Sequence, residues 1–133
     1  MNGASVKVYS RAKDGLKKLS ANFAVNEFAC NDNSDPIFIS EELVEVLQKI
    51  RSHFRKPVTI NSAFRTASYN KKVGGAAQSQ HLYGMAADIV VKGIKPATVA
   101  AYAETLLPGT GGIGIYNTFT HVDVRKIKSR WNG

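Results

Sequence analysis

Apolar residues recur every three or four positions after Ser40, which is the spacing of one face of a helix. The recurring positions are Leu43, Leu47, Ile50 and Phe54. Ser40 can cap this helix, and Glu41 and Glu42 lie in the first turn, where negative charge is favourable. Pro57 stops the pattern, so the spacing predicts a helix over 41–55.

A second helix is predicted after Pro96, because proline fits the first turn of a helix. Its apolar face would consist of Val99, Tyr102, Ala103 and Leu106. The proline and glycines of 108–112 end it. A shorter helix through 69–72 would end at Gly74 and Gly75, which tolerate the positive φ of many helix termini.

Short apolar and β-branched runs predict the extended segments. These runs are 23–28, 58–60, 85–91 and 113–116. Residues 31–36 between the first two are rich in turn-forming side chains. The run 85–91 is apolar except for Asp88, and a carboxylate inside such a strand needs a cation or several donors to offset its desolvation.

The segment around the last histidine carries the clearest alternation. Every second side chain of a strand lies on the same face. One face would carry Phe119, His121, Asp123 and Arg125, and the opposite face Val122 and Val124. With the helices, this pattern predicts an α+β fold in which helices pack against a small antiparallel sheet.

The chain has the size of one domain. Its 133 residues, 44% of them hydrophobic, suffice for a single core, and no repeat or linker divides them. We therefore predict one domain over 1–133. The polar and basic residues 1–20 are expected to form a loose arm or a short edge element.

The net charge of the chain excludes few classes of binding partner. The chain has 18 Lys and Arg against 10 Asp and Glu, a net charge of +8. This charge attracts nucleic acid, an acidic membrane or an anionic cell wall alike. No nucleic-acid-binding motif is recognised, and no stretch reaches the ~20 apolar residues that span a bilayer, so neither nucleic acid nor membrane insertion is expected.

The chemistry of a metal site is restricted by Cys30, the single cysteine of the chain. It excludes an internal disulfide and zinc sites built from two or four thiolates. Two of the three histidines have carboxylates nearby in sequence, His81 with Asp88 and His121 with Asp123. Two imidazoles and one carboxylate suit zinc and leave a position for water, so the pattern predicts a hydrolytic site with one Zn²⁺ per chain.

A longer motif contains the first of these pairs. The pattern Ser-x-His-x-x-Gly-x-Ala-x-Asp is matched by Ser79, His81, Gly84, Ala86 and Asp88. Followed by a His-x-Asp strand, it resembles the zinc D-alanyl-D-alanine carboxypeptidase family, whose fold is shared by lysostaphin-type enzymes and the hedgehog signalling domain. The resemblance runs from about Phe23 to Trp131 and includes residues 61–65, 69–70, 73–75 and 130–131.

This resemblance implies a function and a ligand set. Zinc would be held by His81, Asp88 and His121, and water would attack a peptide carbonyl of bacterial peptidoglycan. The partner implied is a stem peptide, cut at its terminal D-Ala-D-Ala bond or at an internal bond such as L-Ala-D-Glu. We expect a monomer without a signal peptide that acts at the cell wall as a phage or prophage lysin, or as a tail-associated enzyme, after phage-mediated release.

Hydrolysis also needs a base near the attacking water. Asp123 is the candidate, because it projects from the same strand face as His121, about 7 Å along. In the dipeptidase branch of the family the base is an acidic residue three positions before the last His ligand, and here Thr118 occupies that position. Asp123 is therefore either the base or a group that orients His121 while the base comes from elsewhere.

Two residues are candidates for contact with the substrate. The planar guanidinium of Arg65 can hold a carboxylate or a carbonyl with two hydrogen bonds, and the matching arginine of the family binds substrate. Ser79 would orient its loop or touch the substrate.

Two other function classes stay open. Non-haem iron oxygenases also use two His and one carboxylate, but here His81 precedes the His-x-Asp pair, the chain is short for that fold, and Asp88 would have no role. A non-catalytic zinc-containing binding module on the same scaffold is the other class. The full ligand set together with Asp123 favours an enzyme.

Overall fold

The computed structural model describes residues 5–133. The strands of this part of the chain are β1 Val6–Ser10, β2 Lys18–Ser20, β3 Phe23–Ala24, β4 Pro36–Ser40, β5 Val58–Ser62, β6 Ala86–Val91, β7 Gly112–Ile115, β8 Thr120–Asp123 and β9 Ser129–Asn132. The α-helices are α1 Arg11–Asp14, α2 Glu41–Phe54, α3 Ala67–Lys72 and α4 Pro96–Leu106. Short 3-10 helices cover Val25–Phe28 and Gln80–Tyr83.

The main sheet has five strands in the order β5-β6-β8-β7-β9. The α+β prediction is confirmed, and the first four strands are antiparallel as expected. The fifth strand differs, since β9 pairs with β7 in parallel. The last residue of β8, Asp123, lies opposite the first residue of β7, Gly112. The segment 124–128 then places the start of β9 beside the start of β7, on the side away from β8, so that β9 and β7 run in the same direction.

Helix α2 matches the predicted segment and supplies much of the core. Ser40 Oγ accepts a hydrogen bond from the backbone N–H of Leu43 at 3.3 Å, which is the predicted cap. Arg55, with a φ of 55°, ends the helix in the left-handed region. The largest fully buried side chains of the core include Phe23, Phe28, Ile39, Leu47, Ile50 and Ile89.

The prediction of an extended segment over 23–28 is correct only for its first two residues. After Ala24 the chain turns into a 3-10 helix, and Glu27 Oε2 accepts a hydrogen bond from the Ala24 N–H at 2.8 Å. Phe23, Val25 and Phe28 are all buried. The tight helical turn allows Val25 and Phe28, three positions apart, to reach the same core, which strand alternation would not.

Of the two possibilities for the N-terminal residues, the edge element is the one seen in the described part. Strand β1 pairs antiparallel with β4 along its whole length. The Asp35 carboxylate contacts the start of α1, where it accepts hydrogen bonds from the Ala12 N–H and from Ser10 Oγ. Residues 1–4 lie outside the described residues, and no helix of residues 5–133 has the length and apolarity to cross a bilayer.

Candidate metal centre

One row of residues runs across the five-stranded sheet and builds the site. Asp88 on β6 is the direct cross-strand partner of Ser62 on one side and of His121 on the other. His121 in turn is opposite Gly114, and Gly114 is opposite Trp131. Sheet register thus places a carboxylate beside an imidazole, and places an aromatic ring two strands further on.

His81 reaches the same place from outside the sheet. It lies in the 3-10 helix Gln80–Tyr83, which ends at Gly84 with a φ of 71°. A side chain at Gly84 would overlap the backbone of Phe38, so a glycine is needed there for both conformation and space. This tight turn feeds the chain into β6 and brings His81 over Asp88.

The three predicted metal ligands come together and are buried. His81, Asp88 and His121 are 3%, 7% and 7% exposed. His81 Nε2 lies 3.3 Å from Asp88 Oδ2, and His121 Nδ1 lies 2.9 Å from Asp88 Oδ1. One ligand atom from each residue lies within 4.8 Å of the others. Asp88 is thus the centre of the cluster, whereas the iron-oxygenase alternative left it without a role.

Each imidazole points one nitrogen into the cluster and has the other held by the protein. His81 Nδ1 lies 2.6 Å from the carbonyl oxygen of Ala63, and His121 Nε2 lies 2.7 Å from Asp123 Oδ2. In the neutral tautomers that donate to these two acceptors, the inward nitrogens would offer their lone pairs to a cation bound beside Asp88. Three such electron-pair donors in a buried space form a set that could hold a cation.

The charges of the cluster respond to one another. Burial raises the pKa of the Asp88 carboxyl, but hydrogen bonds from His121 and His81 outweigh this effect and hold the pKa well below its usual range. Burial lowers the pKa of His121, but its hydrogen bonds with Asp123 and Asp88 outweigh it, and the pKa is raised. Both directions follow from mutual stabilisation of opposite charges.

Asp123 lies behind His121 and is saturated with donors. Its side chain is 0% exposed, and Oδ1 accepts hydrogen bonds from the N–H of Gly112 at 2.9 Å and from Arg125 Nε at 2.8 Å. Arg125 Nη2 contacts Oδ2 at 2.6 Å. Burial acts to raise the pKa of Asp123, but the bonds from Arg125 and His121 prevail and lower it well below the usual range. These contacts favour the orienting role over the role of base.

Arg65 lies on the other flank of the cluster. Its Nη2 is 3.5 Å from Asp88 Oδ2, its Nε donates to Ser62 Oγ at 3.1 Å, and its Nη1 donates to Asn70 Oδ1 at 3.2 Å. The side chain is 15% exposed. The guanidinium therefore contacts the Asp88 carboxylate from a side chain that is largely buried.

Ser79 lies beside the cluster but contacts backbone. Its Oγ accepts a hydrogen bond from the N–H of His81 at 3.2 Å, at the start of the 3-10 helix. This bond fixes the start of the 3-10 helix that carries His81.

Two residues close to the site were missed by sequence reasoning. Arg125 was predicted to share a strand face with Asp123 but was given no role; it lies beyond the end of β8, and its position two residues after Asp123 is a signal for an ion pair. Trp131 lies with its ring centroid 5.0 Å from that of His121, and the guanidinium of Arg125 lies 5.4 Å above its ring. No local pattern predicts that contact, since it depends on the parallel pairing of β9.

Comparison with known proteins adds a family to this geometry. The sequence model of the peptidase M15 family matches residues 20–123. The zinc D-Ala-D-Ala carboxypeptidase of Streptomyces albus G is 41% identical over 73 residues, which cover 50% of this chain and 28% of that protein. The chain therefore spans well under half the length of that relative.

Proposed function

The chain belongs to the peptidase M15 family, and from this membership and the geometry of the cluster we propose that it is a zinc-dependent hydrolase of peptidoglycan stem peptides. The observation that carries the proposal is the arrangement of the two histidines. Each directs one nitrogen at Asp88 while a carbonyl or carboxylate holds the other. Metal-ligating histidines are typically held in this way.

The donor set fits zinc. His81, Asp88 and His121 offer two imidazole nitrogens and one carboxylate oxygen, the borderline set of catalytic zinc sites, and three protein ligands leave a position open. Bound zinc supplies Lewis acidity, which acidifies water and polarises a carbonyl oxygen. We propose one zinc per chain.

The other residues have distinct tasks in this proposal. The Ala63 carbonyl and Asp123 hold the two imidazole rings, and Arg125 keeps Asp123 ionised and fixed. Arg65 binds a carboxylate or carbonyl of the substrate beside the cluster. A base must exchange protons with water, and Asp123 is fully buried behind His121, so we propose that Asp123 orients that ring.

The substrate is a peptide of the bacterial cell wall. We propose the terminal D-Ala-D-Ala bond as the first candidate, because a guanidinium beside the metal cluster suits a free C-terminal carboxylate. An internal bond is the alternative, in which Arg65 would contact a carbonyl or an acidic side chain. The net charge of +8 favours adsorption to an anionic wall, where a monomeric phage lysin, or endolysin, would act.

Digestion of purified peptidoglycan tests the proposal. The zinc-loaded protein should release either free D-alanine or a defined peptide fragment, identified by mass, and the product assigns the bond. A His81→Ala variant under the same conditions is the control for contaminating hydrolases. A zinc-loaded, folded wild-type protein that releases no more product than this variant would contradict the proposed function and favour a binding module.

A further inference from the structure

We propose that Asn70 and Gly75 form a rigid seat for the guanidinium of Arg65, which makes Asn70 a positioning residue for substrate binding. The inference deepens the proposed function and rests on it, because the substrate role of Arg65 belongs to that proposal. The seat itself consists of contacts between α3, the segment that follows it and the end of β5.

Asn70 is a buried polar side chain whose two functional atoms have different partners. It is 4% exposed. Its Oδ1 accepts from Arg65 Nη1 at 3.2 Å, and its Nδ2 donates to the carbonyl of Ala76 at 2.9 Å. Its backbone carbonyl accepts from the N–H of Gly75 at 2.8 Å. The amide is thus fixed from two sides and presents only its oxygen to Arg65.

Gly75 provides the space for this contact. A Cβ at this position would overlap Asn70 Oδ1 and would lie 2.9 Å from Arg65 Nη1. Positive φ is not the reason for the glycine, since only Gly74, Gly84, Gly93 and Gly111 among the described glycines adopt it. Gly75 is therefore needed because Asn70 and Arg65 occupy the volume of its missing side chain.

Two further contacts restrain the guanidinium. Ser62 Oγ holds Nε at 3.1 Å, and Asp88 Oδ2 lies 3.5 Å from Nη2. A guanidinium has five N–H donors, so three contacts leave two N–H groups, one on each terminal nitrogen. Such a pair is the fork that binds a carboxylate with two hydrogen bonds.

Fixing this fork matters for affinity. A free arginine side chain loses rotamer freedom when it binds a ligand, and that loss weakens binding. The hydrogen bond to Asn70 restricts the rotamers of Arg65 when the protein folds, so less rotamer freedom is lost when the ligand binds. Without Asn70 the guanidinium can turn away from Asp88, although His81, Asp88 and His121 keep their positions.

A double-mutant cycle, measured with a free-acid peptide ending in D-Ala-D-Ala, tests this role. Asn70→Ala is expected to raise KM for the free-acid peptide about tenfold, the value of one hydrogen bond to a charged group, with kcat and zinc content nearly unchanged. In the Arg65→Lys background the same substitution should have little further effect. An equal increase of KM in both backgrounds would overturn the proposal, because Asn70 would then act independently of Arg65.

A second variant keeps the test valid if Asn70→Ala fails to fold. Gly75→Ala should produce the same KM increase, because its Cβ displaces the Asn70 amide. Gly109→Ala is the matched control, since nothing lies within 4 Å of a Cβ there, and it should behave as wild type. Wild-type KM in a folded Gly75→Ala protein would contradict the proposed seat.

A measurement without substrate separates this inference from the proposed function. The Nη1–H signals of Arg65, which report on the hydrogen bond to Asn70, should be protected from water exchange in the ¹⁵N NMR spectrum of the wild type and should lose protection in Asn70→Ala or Gly75→Ala. If the wild type cleaves no wall peptide but shows this change, only the substrate assignment fails. If protection does not depend on Asn70 or Gly75, the seat is wrong whatever the activity.

Discussion

Asp88 and His121 are direct cross-strand partners on β6 and β8, with Asp88 Oδ1 2.9 Å from His121 Nδ1. Strand pairing therefore fixes two of the three candidate zinc ligands before any side chain is adjusted. Only His81 depends on a loop, and that loop is a tight turn closed at Gly84. A site built on rigid elements in this way is organised for metal binding, because little ordering remains to be done when the ion arrives.

The role of Asp123 gives the first prediction. If it orients His121, Asp123→Asn should weaken zinc binding about 10–100-fold and leave turnover at saturating zinc within about tenfold of wild type. Chelator competition measures the affinity, and peptide hydrolysis at saturating zinc measures the turnover. A variant that keeps its zinc affinity but loses ~10²–10⁴-fold in rate would instead identify Asp123 as the general base.

The raised pKa of His121 gives a pH dependence for metal binding. Zinc binds the neutral imidazole, so binding must displace a proton once the pH falls below the raised pKa. Zinc affinity should therefore decline with falling pH from a point above about 6.5, the ordinary value for histidine. Because the Asp123 carboxylate helps to raise this pKa, Asp123→Asn should move the onset to lower pH. The same onset in both proteins would contradict this explanation.

Arg125 is predicted to stabilise the buried Asp123 carboxylate. Arg125→Gln should lower the free energy of unfolding by about 3 kcal/mol at pH 7, because it leaves a buried charge without its main partner. The lowered pKa of Asp123 means that this contribution is present above the unfolded value, about 3.9, and is lost as the pH falls through the folded value. Urea unfolding at pH 7 and at pH 3 should show the difference shrinking in acid. An equal difference at both pH values would show that the charge of Asp123 is not the reason for the stabilisation by Arg125.

Several of these features could be predicted from the sequence because they depend on local patterns. The helical spacing after Ser40 identified α2, and the single polar residue in the run 85–91 marked Asp88 as a group that needs a cation or several donors. The imidazoles were identified by residue type and motif. Burial of all three side chains together is what those local signals imply.

The other contacts around the site depend on the order of the strands, which local sequence patterns do not reveal. The contact between His121 and Trp131 requires β9 to pair in parallel with β7 across Gly114. The saturation of Asp123 depends on the turn after β8, which directs Arg125 back onto it. Strand alternation placed His121 and Asp123 on one face but could not say which nitrogen of the ring the carboxylate contacts.

Gly114 is predicted to be required for the packing of Trp131. A Cβ there would lie 2.5 Å from Cε2 and Nε1 of the ring, so Gly114→Ala should displace the ring and cost about 1–3 kcal/mol of stability. Trp131 is the single tryptophan of the chain, so its fluorescence reports the displacement directly. Gly109→Ala, which meets nothing within 4 Å, should change neither stability nor emission. Wild-type emission and stability in Gly114→Ala would show that the two residues do not pack together.

The most direct test of the central claim is a zinc titration of metal-free protein while hydrolysis of a stem peptide is followed. The account predicts that activity is absent without metal, rises in proportion to added zinc and stops rising at one equivalent per chain. His81→Ala and His121→Ala proteins that remain folded should show no such rise. Full activity in metal-free protein, or the same zinc-dependent rise in these variants, would contradict a catalytic zinc at His81, Asp88 and His121.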